Sequence, residues 1–393
     1  IMYVGGYPKN GQGGGGIYAF SYNSDSGSAY KLGLAAETKN PTFLAIHRNE
    51  DNGEKQQSFL YAVNEVTDYE SGTNNNSSSG SVSAFSVDRD NNGKLTFLNS
   101  VSSGGGGPCA IAVNREGTHA VVANYNGGSV TALPIHKGNG SLKQASAFVQ
   151  HSGASVCPKR QTGPHAHSVD FSPDQRFLVV NDLGLDQVKV YKWFDPKIGD
   201  GLLTLHNETS VMSGSGPRHL SFHPNGRFVY VLSELKSQIT VFFFKRHYGI
   251  LETIQTLSTL PADENEHGFD GENYPAEIVV HPSGRFLYTS NRGHDSITLF
   301  KVTPSTGMLE FVHNTPTGGR WPRHFEIDPT GEFLFVAAQK SNQIITFRID
   351  QRKGRLFPTG QVLEVPSPTC IKFVKTGGHN IPSCGDSSSN MSC

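Results

Sequence analysis

The chain has 393 residues, 36% hydrophobic and 17% charged, with 44 glycines, 24 phenylalanines, 13 tyrosines and a formal net charge of −1. Aromatic and turn-forming residues in that proportion favour an all-β architecture. No apolar run approaches the roughly 18 residues of a membrane-spanning helix, and a near-neutral chain carries no basic footprint for nucleic acid.

In chain order, Ile1-Met-Tyr-Val opens directly as strand, so an upstream segment is expected to have been removed or omitted. A proline leading an alternating apolar run then recurs seven times. The copies are Pro41-Thr-Phe-Leu-Ala-Ile, Pro108-Cys-Ala-Ile-Ala-Val, Pro164-His-Ala-His-Ser-Val, Pro217-Arg-His-Leu-Ser-Phe, Pro275-Ala-Glu-Ile-Val-Val, Pro322-Arg-His-Phe-Glu-Ile and Pro368-Thr-Cys-Ile-Lys-Phe. Their spacing averages about 54 residues, in the range of propeller repeats. Most continue through a turn into a second apolar run, as in His223-Pro-Asn-Gly-Arg-Phe-Val-Tyr-Val, and then a third, as in Gln238-Ile-Thr-Val-Phe-Phe-Phe. Pro-x-Gly between alternating runs is hairpin chemistry.

Seven such meanders predict one all-β domain over residues 1–375, a seven-bladed β-propeller of four-stranded antiparallel blades. Residues 1–22 supply the later strands of one blade and Pro368 to Lys375 its opening strand, so pairing of the two ends closes the ring. The Gly/Asn/Ser tracts at 10–16, 71–80 and 103–107 are loops. No strand–Gly loop–helix context surrounds them, which excludes a dinucleotide or Walker site. Residues 376–393 form a Gly/Ser-rich tail, expected to be disordered or closed by a Cys384–Cys393 bridge. The five cysteines contain no CxxC and are too few for a disulfide scaffold. Sequons at Asn75, Asn76, Asn139, Asn207 and Asn390 would permit glycosylation in a secretory setting.

Equivalent positions in a propeller form rings around its axis. The residue after each repeat proline gives Thr42, Cys109, His165, Arg218, Ala276, Arg323 and Thr369, and the end of the next run gives Tyr7, Glu65, Tyr125, Leu183, Glu234, Arg292 and Gln339. Charged residues there are expensive to bury unless they bind something. His165, Arg218, Glu234, Arg292 and Arg323 are expected to converge at one channel mouth, where forked guanidinium donors suit a phosphate or carboxylate. Salt bridges stapling adjacent blades are the competing reading of the same residues. His167 shares the face of His165, deeper in the channel. Alternation points His219 and His324 into the blade, and His223 and His281 cap turns. One good histidine and one carboxylate are too few for a catalytic metal, so no metal or cofactor is expected. No Gly-x-Ser-x-Gly elbow is present.

These residues, Gly-Pro-His165, Gly-Pro-Arg218-His219, Ser-Glu234-Leu, Asn-Arg292, Pro-Arg323 and Gln339-Lys-Ser, resemble the lactonase family of seven-bladed propellers over residues 1–375. The family includes bacterial-type 6-phosphogluconolactonases and fungal carboxy-cis,cis-muconate cyclases. The resemblance implies hydrolysis of 6-phospho-D-glucono-1,5-lactone in the pentose phosphate pathway. It assigns His165, Arg218, Glu234 and Arg292 to catalysis. From their places in the rings and on the channel face, Arg323, Gln339, His167 and Tyr125 are expected to contact a small anionic sugar lactone. On this reading His165 is the base, with Glu234 orienting the water or acting as base itself. The resemblance also implies a cytoplasmic home, although the sequons and the missing amino terminus leave secretion open, and a monomer or weak homodimer is expected. The chain departs from the family in inserts around residues 66–80 and 150–162, in the acidic loop Asp263 to Glu272 and in the tail. A muconate-type cycloisomerase and a non-catalytic binding propeller are the alternatives.

Overall fold

Each proline-led run forms the first strand of a four-stranded antiparallel sheet, and seven sheets follow in chain order. The computed structural model describes residues 1–8, 15–48, 57–69, 78–88, 91–193, 203–261 and 271–374. In the fourth blade Pro217–Phe222 pairs with Phe228–Ser233, then Gln238–Lys245 and Ile250–Ser258. Gly226 closes the first turn at φ +69°, a conformation that costs glycine nothing. His223 serves that turn twice. Its Nδ1 accepts the Asn225 N–H at 3.1 Å and its Nε2 donates to the Gly284 carbonyl of the next blade at 2.9 Å. His281 repeats the bridge to Gly331 at 2.8 Å, so these histidines cap turns as expected and also tie blades together.

The seven first strands neighbour one another in a closed ring, and the outermost strands are largely exposed, as the alternation in Ile250–Ser258 shows. Met2–Gly6 pairs with Pro368–Phe373, Tyr3 opposite Lys372 and Val4 opposite Ile371. The two ends of the chain thus share one blade.

Among the described residues the apolar core falls into seven clusters, each straddling one interface between adjacent blades. A repeated contact locks these interfaces. A glycine in the outer turn of one blade lies against a phenylalanine opening the second strand of its neighbour, as in Gly140–Phe59, Gly249–Phe177, Gly307–Phe228, Gly354–Phe286 and Gly27–Phe333. The last of these spans the closing seam. These pairs account for five of the 44 glycines and five of the 24 phenylalanines.

Two backbone features position the channel mouth. The register between first and second strands slips at the start of every blade, for example between Pro217 and His219 and between Pro322 and His324. Such a bulge turns consecutive residues toward the same side. In several blades the residue just before the first strand also accepts, on its carbonyl, the N–H of the residue that follows the second strand. Gly107 receives Tyr125, His165 receives Leu183, Gly216 receives Glu234 and Trp321 receives Gln339, at 2.8 to 3.0 Å.

The third blade corrects the predicted rings. Ala166 pairs with Asp182 as Pro217 pairs with Ser233, so His167, not His165, is the counterpart of Arg218. His165 occupies the place of Gly216, one step before the strand. The signal was present in the sequence. Pro108, Pro217, Pro275 and Pro322 each precede their turn residue by six positions, whereas Pro164 precedes Ser172 by eight.

The tail 376–393 with its Cys384–Cys393 pairing, the sequons at Asn75, Asn76 and Asn390, and most of the Asp263–Glu272 loop lie outside the described residues. Among the described residues no helix is long and apolar enough to cross a membrane, and Cys109, Cys157 and Cys370 are free thiols.

Candidate active site

Arg218 enters the channel from the bulge of the fourth blade, while Glu234 and Arg292 project where the second strands of blades four and five run out. The three side chains meet. Arg218 Nε and Arg292 Nη2 donate to the same oxygen, Glu234 Oε2, at 3.0 and 2.8 Å. The residues are 3%, 4% and 5% exposed in sequence order, so little water screens the pairs. Arg218 Nη1 also donates to the Ala276 carbonyl, and Arg292 Nε to that of Tyr274 at 2.9 Å. Burial pushes the Glu234 carboxyl up, but Arg292, Arg218 and the other cations beside it hold it well below the usual carboxylate range. Burial pulls Arg292 down to about 9, with Glu234 opposing. The arginines therefore do staple blades through Glu234, and they also gather positive charge at one mouth.

A further guanidinium completes the clamp. Arg160, from the insert at 150–162, donates through Nη2 to Glu234 Oε1 at 2.7 Å and to the Tyr125 hydroxyl at 3.1 Å. Tyr125 stacks on His165 with ring centroids 4.5 Å apart and meets His167 edge-on at 5.3 Å. His165 Nδ1 lies 2.9 Å from the Tyr125 carbonyl. A carbonyl only accepts, so Nδ1 carries a proton, and in the neutral ring that leaves the lone pair on Nε2. His167 is buried, with Nε2 3.9 Å from Glu234 Oε2 and Nδ1 3.9 Å from Cys109 Sγ. Burial, reinforced by Arg218, holds its imidazole well below the ordinary value.

Arg323 and Gln339 occupy the other side of the mouth. Arg323 Nη2 lies 3.9 Å from Glu65 Oε2 and its guanidinium 5.6 Å over the Tyr7 ring. Gln339 Nε2 donates to Ser367 Oγ at 3.4 Å. Neither hydrogen-bonds to Glu234.

Beneath the mouth the bulges overturn the expected placement of His219 and His324, which face the channel rather than the blade. Both touch Glu277. His219 Nδ1 is 3.0 Å from Oε1 and His324 Nε2 is 3.3 Å from Oε2. Burial pushes the Glu277 carboxyl up, but the two histidines bring it to about 2, while burial takes His324 down to about 3. This layer borders a cavity of about 770 Å³ that opens at the opposite end of the channel, past Glu326, Lys372 and Asp170.

The family described as seven-bladed β-propeller lactonase matches residues 1–373. The chain belongs to that family. It is 34% identical over 374 residues to the 6-phosphogluconolactonase of Bacillus subtilis strain 168, covering 95% of this chain and 98% of that one. The solved structure of the periplasmic gluconolactonase of Pseudomonas aeruginosa superposes with a TM-score of 0.83, at 32% identity over 96% of this chain and 99% of that one. A Lactobacillus plantarum protein gives 0.81, at 31% identity over 95% and 99%.

Within this lactonase, sequence reasoning missed Arg160 and the residues that hold its loop. Asp186 accepts from Gln161 Nε2 at 2.8 Å and from the Gly214 and Gly216 N–H groups at 2.6 and 2.7 Å. Asp182 accepts from the His165 N–H at 2.8 Å and meets His151 Nδ1 at 2.6 Å. The insert falls outside the repeat, so comparing blades could not assign its side chains a direction.

Proposed function

We propose that this lactonase hydrolyses 6-phospho-D-glucono-1,5-lactone to 6-phosphogluconate at the mouth that carries Glu234. The observation that supports this most is the pair Arg218 and Arg292 on one buried carboxylate oxygen, in a mouth where the four arginines Arg160, Arg218, Arg292 and Arg323 outnumber the three carboxylates Glu234, Glu65 and Glu272, the last beside Tyr274. That surplus of positive charge suits a substrate with a phosphate. A guanidinium has five donors, so both arginines keep N–H groups beyond those spent on Glu234 and on backbone carbonyls.

In this scheme water attacks the lactone carbonyl carbon and gives its proton to His165 Nε2. The oxyanion forms against Arg218 and Arg292, whose charge is already in place. The bond from the carbonyl carbon to the ring oxygen then breaks, and the ring oxygen takes the proton back from the imidazolium. Glu234 serves as the clamp rather than the base, because three guanidinium groups stabilise its charged form. No metal takes part.

Purified protein assayed for acid release tests this, with 6-phosphogluconolactone, glucono-1,5-lactone and a muconate substrate side by side. His165→Ala is expected to lower kcat by about 10²–10⁴-fold, the span of one general base, with little change in KM. An unchanged kcat removes His165 from the chemistry and turns attention to His167. Dialysis against a chelator is expected to leave kcat unchanged.

A further inference from the structure

The residue preceding Pro41, Pro108, Ala166, Pro217, Pro275, Pro322 and Pro368 forms a ring of its own at the mouth: Asn40, Gly107, His165, Gly216, Tyr274, Trp321 and Ser367. Four of these adopt left-handed backbone with residues that are small or tolerate it, at φ +40° for Asn40, +61° for Gly107, +64° for Gly216 and +37° for Ser367. Trp321 adopts it too, at φ +66°. For a bulky aromatic residue that is a strained conformation, and Pro322 after it favours extended backbone instead. Strain of this kind persists where the surroundings over-determine it, often at functional sites. Here the Trp321 N–H donates to Asp295 Oδ1 at 2.7 Å and its carbonyl accepts the Gln339 N–H at 3.0 Å.

Two cations lie against the indole. The Lys340 ammonium lies 3.1 Å from its ring centroid and the Arg292 guanidinium 5.7 Å from it. Those distances keep the two charges within about 9 Å of each other. The cations differ in what already engages them. Arg160, Arg218 and Arg292 share Glu234, and Arg323 faces Glu65. Lys340 is exposed on the short 3-10 turn Gln339–Ser341, and among the described residues no carboxylate pairs with it.

We infer that Lys340, seated on Trp321, is the phosphate-binding cation of the site and sets its preference for a phosphorylated over an unphosphorylated lactone. The inference rests on the 6-phospholactone reading above and adds the residue that reads the phosphate. Five bonds of about 1.5 Å separate the carbonyl carbon from phosphorus in that substrate, so the two lie at most about 7 Å apart. A carbonyl held at Arg292 therefore leaves the phosphate within reach of Lys340. Contact with the indole face holds the ammonium in place.

The test compares kcat/KM for 6-phosphogluconolactone and for glucono-1,5-lactone in wild type, Lys340→Met and Lys340→Arg. Wild type is expected to prefer the phosphorylated lactone. Lys340→Met should lose about ten- to a hundredfold on it, the worth of a charge-assisted hydrogen bond. The loss should fall in KM, with the unphosphorylated lactone unaffected, and Lys340→Arg should retain most of the preference. Equal loss on both substrates, or none on either, overturns the assignment. If wild type prefers the phosphorylated lactone and Lys340→Met keeps that preference, only the Lys340 assignment falls. A wild type without preference overturns both it and the 6-phospholactone reading.

Discussion

Glu234→Gln keeps the side-chain shape and removes the charge that three guanidinium groups share. Arg218 and Arg292 lie 3.0 and 2.8 Å from one of its oxygens, with side chains only 3% and 7% exposed. Removing one partner of a buried ion pair costs about 3–5 kcal/mol, because the remaining charge stays desolvated without compensation. With an unfolding entropy of about 2.1 cal/mol/K per residue over 393 residues, that lowers Tm by about 4–6 °C. Arg160 provides an internal contrast. Its side chain is 34% exposed, so water and salt screen its bond, and Arg160→Ala should cost at most about 1 kcal/mol, or about 1 °C. Calorimetry on the three proteins measures the difference. Assayed alongside, Glu234→Gln should lose about 10²-fold in kcat/KM as the two guanidinium groups drift from their positions. A Glu234→Gln protein that melts with wild type, or an Arg160→Ala protein that loses as much, would refute the clamp.

Acid should destabilise the fold through the layer beneath the mouth. His324 is lowered from 6.5 to about 3 and Glu277 from 4.5 to about 2. Below about pH 6.5 the unfolded chain takes up a proton that folded His324 refuses, and below about 4.5 the same holds for Glu277. The stability present at neutral pH is therefore lost progressively toward pH 3 and below, and His324→Gln should flatten the upper part of the decline. A flat Tm between pH 6.5 and 3 contradicts this. Gly307→Ala would place a methyl group 2.3 Å from the Phe228 ring at φ +73°, whereas Gly360, at φ +82°, faces open space. Both substitutions carry the backbone penalty of about 1–3 kcal/mol. Gly307→Ala should cost more in chemical denaturation, and equal costs would rule out the blade-to-blade lock.

The architecture was legible because a propeller repeats itself within one chain. Seven proline-led runs, Pro-x-Gly turns and two partial end blades carry enough local information to specify four-stranded sheets and their closure. The repeat also brought out Arg218, Glu234, Arg292 and Arg323, because a charged residue stands out where sister blades hold threonine, alanine or leucine. What failed were the inferences that assumed ideal strands. Plain alternation sent His219 and His324 into the blade, but a bulge at the head of every first strand turns them into the channel. Aligning on Pro164 put His165 in the ring that His167 occupies, because the third blade carries its proline two residues early. Arg160 reaches Glu234 from outside the repeat, and Trp321 takes a left-handed conformation that its own residue type disfavours. Repetition in a single chain can reveal which strands form and which positions are equivalent, since those follow from local pattern. Where a side chain finally points depends on bulges, inserts and hydrogen bonds between blades, and those exist only once the ring has closed.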